Sequence, residues 1–263
     1  MLAWLLFIVL SSRHLPEHLR AAWDYRYVLL LNIAPGTKPL PWSMVDAERP
    51  PVKLQPRWLP VEYYDDADRE RNRRLYGVNS VRLNPTMLVM HFTVTQDPEA
   101  IIAGFSSPAH LPVGNQTPIV SLVTVHYMVG QDATIYQLVP EHRTTTGTYG
   151  VDHLALAIEM VAKDEKDLMS RPMQLLTAFY LADSLMRKYN IPVTRVFSHQ
   201  EVALGKFFLD EYTDLADTVS PYFYPKPDFR YDPGPTVMAW CREFLLRRRK
   251  LWDKHPASKR RRR

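Results

Sequence analysis

The chain has 263 residues, of which 46% are hydrophobic, 11% aromatic and 23% charged; that is enough for one sizeable core and excludes wholesale disorder. A single cysteine excludes a disulfide framework and any cysteine-cluster zinc or iron–sulfur site, and 9 glycines against 22 prolines argue against a glycine-lined dinucleotide fold. The net charge of +5 is uneven: from Arg242 onward 11 Lys/Arg face 2 Asp/Glu, a local +9, so the other 22 basic and 26 acidic residues leave a body of −4.

Leu2 to Leu10 form an apolar run, too short to span a bilayer but of the length of a signal-peptide core. Tyr27 to Ala34 is a second short apolar run. Prolines are then frequent from Pro35 to Pro60, which predicts an extended wrapping segment, because proline serves neither central strands nor helix interiors. The mixed-charge stretch Asp65 to Arg74 reads as a solvated helix or loop.

The compact part begins near Val81. Met87 to Phe92 has the look of a buried strand, and Pro98 opens a short helix to Phe105. Val120 to Val129 and Thr134 to Val139 read as strands of a hairpin turning at Gln131-Asp132-Ala133, and Leu154 to Val161 as another strand. Pro172 to Tyr189 is the clearest helix: Leu175, Leu176, Phe179, Leu185 and Met186 share one face, and Asn190 and Pro192 follow its end. Val193 to Phe197 is a strand running into Ser198-His199, and Thr236 to Lys250 an amphipathic helix. Alternating strands and helices with one hairpin predict an α/β fold with a mixed central β-sheet flanked by helices. The expected organisation is a signal peptide or apolar segment at 1–20, a proline-rich wrapping extension at 21–80, a compact domain at 81–245 and a basic tail at 246–263. That tail reads first as solvated chain and second as a contact for an anionic polymer, nucleic acid or lipid head groups.

Two of the nine histidines, His91 and His199, fall at strand ends, where ligand-binding side chains converge in α/β sheets. Asp232-Pro233-Gly234-Pro235 adds an acidic residue in a rigid turn. Two imidazoles and a carboxylate suit a catalytic zinc site (Zn2+) with an open position for water. Residue types and spacing alone equally allow ordinary core or surface histidines. His126 reads as a core histidine or one supporting a site, His153 as a loop histidine, and His110 and His142 have no partner pattern. Cys241 reads as a buried small hydrophobe, with a third-ligand role as the alternative. Asp210, Glu211 and Asp214 read as a solvated acidic face.

The words around these residues are more specific. His91-Phe92-Thr93, the hairpin from Val125 to Glu141, Gly150-Val151-Asp152-His153-Leu154-Ala155-Leu156-Ala157-Ile158-Glu159, Phe197-Ser198-His199-Gln200-Glu201-Val202 and Asp232-Pro233-Gly234-Pro235 occur in this order. Over roughly residues 81 to 245 the chain resembles the zinc-dependent N-acetylmuramoyl-L-alanine amidases, the family that includes the peptidoglycan recognition proteins. The resemblance implies zinc ligands at His91, His199 and Asp232, and a general base at Glu159. It implies an oxyanion-stabilising cation at Arg230, where the family usually has lysine.

Four departures accompany it. The turn has Asp132-Ala133 where Asp-Gly is usual, which should alter its geometry, and Gly147 stands where a cleft histidine often lies. Arg230 replaces a point donor by a planar fork. His199 and Asp232 are separated by 32 residues, and the aromatic run from Tyr222 could wall a substrate groove. The implied reaction is hydrolysis of the bond between N-acetylmuramic acid and L-alanine in peptidoglycan or muropeptides. The expected setting is the cell envelope, periplasmic or secreted, with the cytoplasm as the alternative, and the expected state is a monomer with no nucleic-acid partner. The alternatives are a non-catalytic muropeptide receptor on the same fold, and a zinc hydrolase cutting a stem-peptide bond.

Overall fold

The computed structural model describes residues 41, 44, 48–113, 116–203 and 231–254. The apolar N-terminal runs, most of the insertion after His199 (with Asp210, Glu211, Asp214, the aromatic run and Arg230) and the Lys259–Arg263 tail lie outside them.

A six-stranded mixed sheet forms the centre. Its strands are β1 (Lys53–Pro56), β2 (Met87–Phe92), β5 (Tyr127–Val129), β6 (Thr134–Gln137), β7 (Ala155–Met160) and β8 (Val196–Ser198). The order is β1-β6-β5-β7-β2-β8; β5, β7, β2 and β8 are mutually parallel, while β6 runs antiparallel to β5 and pairs in parallel with β1. The helices are α1 (Asp65–Tyr76), α2 (Pro98–Phe105), α3 (Glu165–Met169), α4 (Pro172–Tyr189), α5 (His199–Ala203) and α6 (Pro235–Lys254). Among the described residues no helix is long and apolar enough to cross a membrane.

Strand alternation sorts the core. Leu88, Met90 and Phe92 of β2 and Leu156, Ile158 and Met160 of β7 pack with Phe179 and Leu175 of α4 and with Val237 and Phe244 of α6. The opposite face carries Ala157 and Met128 against Ile101 and Ile102 of α2, and Met87 and Val89 against Phe197. All five apolar residues expected on one face of α4 are buried, and each fully buried large side chain contributes about 1.5–3 kcal/mol of transfer free energy.

Three expectations change. The segment read as one strand over Val120 to Val129 is divided: β4 (Gln116–Leu122) pairs with β3 (Pro108–Val113) in a separate antiparallel ribbon, and β5 begins at Tyr127. A two-stranded ribbon leaves each strand a free edge, where Pro108 and Pro112 are accommodated. Val193–Arg195 is a 3-10 turn, so the last strand starts at Val196. The stretch read as solvated is α1, whose Asp68, Arg71 and Asn72 are buried because each finds a buried polar partner.

The hairpin turn carries backbone strain. Ala133 takes the left-handed conformation at φ 64° that glycine would adopt. Its N–H donates to the Gly130 carbonyl, and Asp132 accepts from the Thr134 N–H and hydroxyl. The left-handed position of this turn is thus held by alanine under strain.

Candidate metal centre

Parallel register assembles the site. His91, next to last in β2, pairs with Glu159 in β7, and Met90 pairs with Ser198 in β8, so His199 follows at the level of His91. Both His91 and Glu159 lie on the face opposite Leu88 and Leu156, at the carboxyl ends of the strands.

Local sequence fixes His199. Ser198-His199-Gln200-Glu201 is a capping box: Ser198 Oγ accepts from Glu201 N–H at 2.9 Å and Glu201 Oε2 accepts from Ser198 N–H at 2.8 Å. Arg242 of α6 grips the same corner, donating to Val196 O at 2.8 Å and to Glu201 at 2.5 Å.

Asp232 arrives on the turn before α6. Its carbonyl accepts from Gln200 N–H at 3.1 Å. Gly234, at φ 97°, lets the chain enter the helix, where Glu165 Oε1 accepts from Thr236 N–H at 2.6 Å and Val237 N–H at 3.0 Å. A Cβ on Gly234 would fall 2.3 Å from Glu165 Cδ.

The three side chains converge, all buried. His91 Nδ1 and His199 Nδ1 are 3.0 Å apart, His199 Nδ1 and Asp232 Oδ2 3.2 Å, and His91 Nδ1 and Asp232 Oδ2 3.4 Å. Among the described residues this is the group of His, Cys, Asp or Glu side chains placed to share a metal ion. Ligand atoms at about 2.0–2.1 Å from a tetrahedral zinc lie about 3.3 Å from one another, so the triangle fits that ion. The donor set, two imidazoles and one carboxylate, also matches catalytic zinc, and Glu159 Oε2 stands alongside at 3.9 Å from His91 Nδ1. Burial opposes ionisation of Asp232, but the two imidazoles outweigh it and hold the carboxyl well below the usual carboxylate range.

Other histidines take supporting places. His126 is buried; its Nε2–H donates to the Arg143 carbonyl at 2.9 Å and its Nδ1 accepts from Ala157 N–H at 3.1 Å. Burial pushes it down to about 4. His153 stacks on Tyr76, and His110 and His142 are exposed. Cys241 is buried in the core beneath α6, with its thiol pushed up to about 12 by burial, and stands outside the cluster. Gly147 is dictated by packing: a Cβ there would fall 2.6 Å from Thr124 O.

Two residues near the site carry no signal in the linear sequence. Thr148 Oγ1 lies 3.0 Å from His91 Nε2; in the tautomer that leaves Nδ1 free for a metal, Nε2–H donates to this hydroxyl. Glu165 caps a helix 70 residues further on, a relation only the fold creates.

The model of the N-acetylmuramoyl-L-alanine amidase family matches residues 81–214, just over half of the chain. The chain belongs to this family. The amidase is thus a hydrolase of a linear amide bond, on the mixed sheet described above. Among solved structures it is similar to the N-acetylmuramoyl-L-alanine amidase LysC of Clostridium intestinale URNW, at 24% identity over 46% of this chain and 74% of that one, TM-score 0.35. It is also similar to the Staphylococcus aureus hydrolase AmiA in complex with its ligand, at 14% identity over 78% and 88%, TM-score 0.45. The E. coli amidase AmiD, solved with anhydro-N-acetylmuramic acid-L-Ala-D-gamma-Glu-L-Lys, matches at 19% identity over 52% and 58%, TM-score 0.37. A search of the curated proteins finds no match.

Proposed function

We propose that the amidase is zinc-dependent and cleaves the bond between N-acetylmuramic acid and L-alanine in peptidoglycan or muropeptides. In this reading His91, His199 and Asp232 hold the metal and Glu159 is the general base. The observation that carries it is the triangle of two imidazole nitrogens and one carboxylate oxygen, 3.0–3.4 Å apart, beside a buried glutamate. Zinc bound there supplies Lewis acidity, which lowers the pKa of water and polarises a carbonyl.

The chain's own groups do the rest. The Glu159 carboxylate takes a proton from the water that attacks the lactyl carbonyl carbon, and delivers it to the L-alanine nitrogen as the carbon–nitrogen bond breaks. A free amine and a muramic carboxyl group result. Arg230, the family's lysine position, is assigned to the developing oxyanion. The family's polymer substrate favours a setting in the cell envelope; recovery of the intact chain from the cytoplasm alone would count against that setting.

Glu159→Gln tests the reading. Turnover of muropeptide should fall by about 10²–10⁴-fold while bound zinc is unchanged, and mass spectrometry of wild-type digests should show the muramic acid–alanine bond cut. Unchanged turnover in Glu159→Gln would remove the base assignment. Products cut within the stem peptide would identify a different hydrolase, and a wild type that binds muropeptide without cutting it would be a receptor.

A further inference from the structure

We propose that α1, which lies outside the residues matched by the family model, sets the orientation of His91 through a buried relay, making Arg71 and Tyr76 positioning residues of the metal centre. The inference rests on the zinc reading above and extends it to residues beyond the family's domain.

The relay is continuous. The Thr148 hydroxyl contacts His91 Nε2 at 3.0 Å. The N–H of the same Thr148 donates to Asp152 Oδ1 at 2.7 Å. The other oxygen of Asp152 accepts from Arg71 Nη2 at 2.9 Å and from the Tyr76 hydroxyl at 3.3 Å. Tyr76 Oη in turn accepts from Gly150 N–H at 3.0 Å, so α1 holds the 148–152 turn at two points. Arg71, Thr148 and Asp152 are each at most 1% exposed. Burial and Asp152 raise the Tyr76 hydroxyl well above its ordinary value, so it remains a donor.

Low dielectric makes each link of this chain costly to break. A buried carboxylate needs its cation and donors, and with both oxygens held it fixes the Thr148 backbone. The fixed hydroxyl holds the His91 ring with Nε2 towards Thr148 and Nδ1 towards His199 and Asp232; with a metal on Nδ1 the ring carries its hydrogen on Nε2 and donates it to that hydroxyl. The guanidinium of Arg71 also sits 5.6 Å from the Tyr149 ring, next to Thr148.

The test uses the full chain loaded with zinc. Zinc affinity is measured by competition with a chelator, and the His91 Nε2–H resonance is followed by NMR as the tautomer readout. Thr148→Val, near-isosteric but without the acceptor, should weaken zinc binding about 10–100-fold and move or broaden that resonance, while Thr148→Ser restores both. Tyr76→Phe should weaken binding several-fold, and this effect should vanish in the Thr148→Val background. If Thr148→Val does not fold, Tyr76→Phe decides. Zinc affinity within twofold of wild type in folded Thr148→Val, or in Tyr76→Phe, would overturn the relay alone. A wild type that binds no zinc would overturn the metal reading and the relay with it.

Discussion

His126 links acid sensitivity to geometry. Its two ring nitrogens are committed: Nε2–H donates to Arg143 O and Nδ1 accepts from Ala157 N–H. A second proton on Nδ1 would confront an N–H that is already a donor, inside a fully buried site. The folded-state value therefore drops from 6.5 to about 4, burial being the main cause. The sign follows. Above pH 6.5 the ring is neutral folded and unfolded, and contributes no pH dependence. As pH falls from 6.5 towards 4 the unfolded chain takes up a proton that the folded chain refuses, so stability is lost. Each tenfold in proton affinity is about 1.4 kcal/mol, so the loss reaches about 3 kcal/mol near pH 4. The perturbation is His126→Gln, which does not titrate. Chelator-treated proteins are unfolded in urea at pH 8, 6.5, 5.5 and 4.5, so that the other histidines are common to both. His126→Gln should be the less stable at pH 8, but its loss of stability per pH step below 6.5 should be smaller by about 1 kcal/mol. Parallel stability curves for the two proteins would refute the reasoning.

Two further substitutions test backbone strain. Ala133→Gly relieves a left-handed alanine costing about 1–2 kcal/mol and gives back about 0.4–1 kcal/mol in unfolded-chain entropy; thermal unfolding should shift up by about 1–3 °C, and a fall would contradict the strain. Gly234→Ala meets both a positive φ and the Glu165 carboxyl. It should cost about 1–3 kcal/mol by calorimetry and weaken zinc binding by displacing Asp232; wild-type stability would show that the turn is not constrained.

What the sequence made legible depended on local signals. Proline at the start and asparagine after the end bounded the helix Pro172–Tyr189, and an apolar run marked the central strand that carries His91. Strand-end position pointed to His91 and His199, because parallel strands bring their carboxyl ends together whatever lies between them in the chain. The ordered motifs added Glu159 and Asp232, and the structure sets both beside the histidines. Burial of α1 was hidden, since Asp68, Arg71 and Asn72 carry the composition of a solvated helix and are buried only because Arg143, Asp152 and Thr144 meet them from 70 or more residues away. Thr148 and Glu165 were hidden for the same reason: a threonine in a threonine-rich loop and a glutamate in a five-residue helix acquire meaning from what the fold brings against them. Local composition does not mark the ribbon of β3 and β4, whose prolines suit strands only at free edges.

The most direct measurement is metal content of the purified chain, read together with muropeptide cleavage before and after chelation. Stoichiometric zinc in the wild type, lost in His91→Ala, His199→Ala and Asp232→Ala along with cleavage, and cleavage restored to the chelated wild type by added zinc, is the expected result. Full cleavage by chelated, zinc-free protein, or wild-type zinc content in His199→Ala, would contradict it.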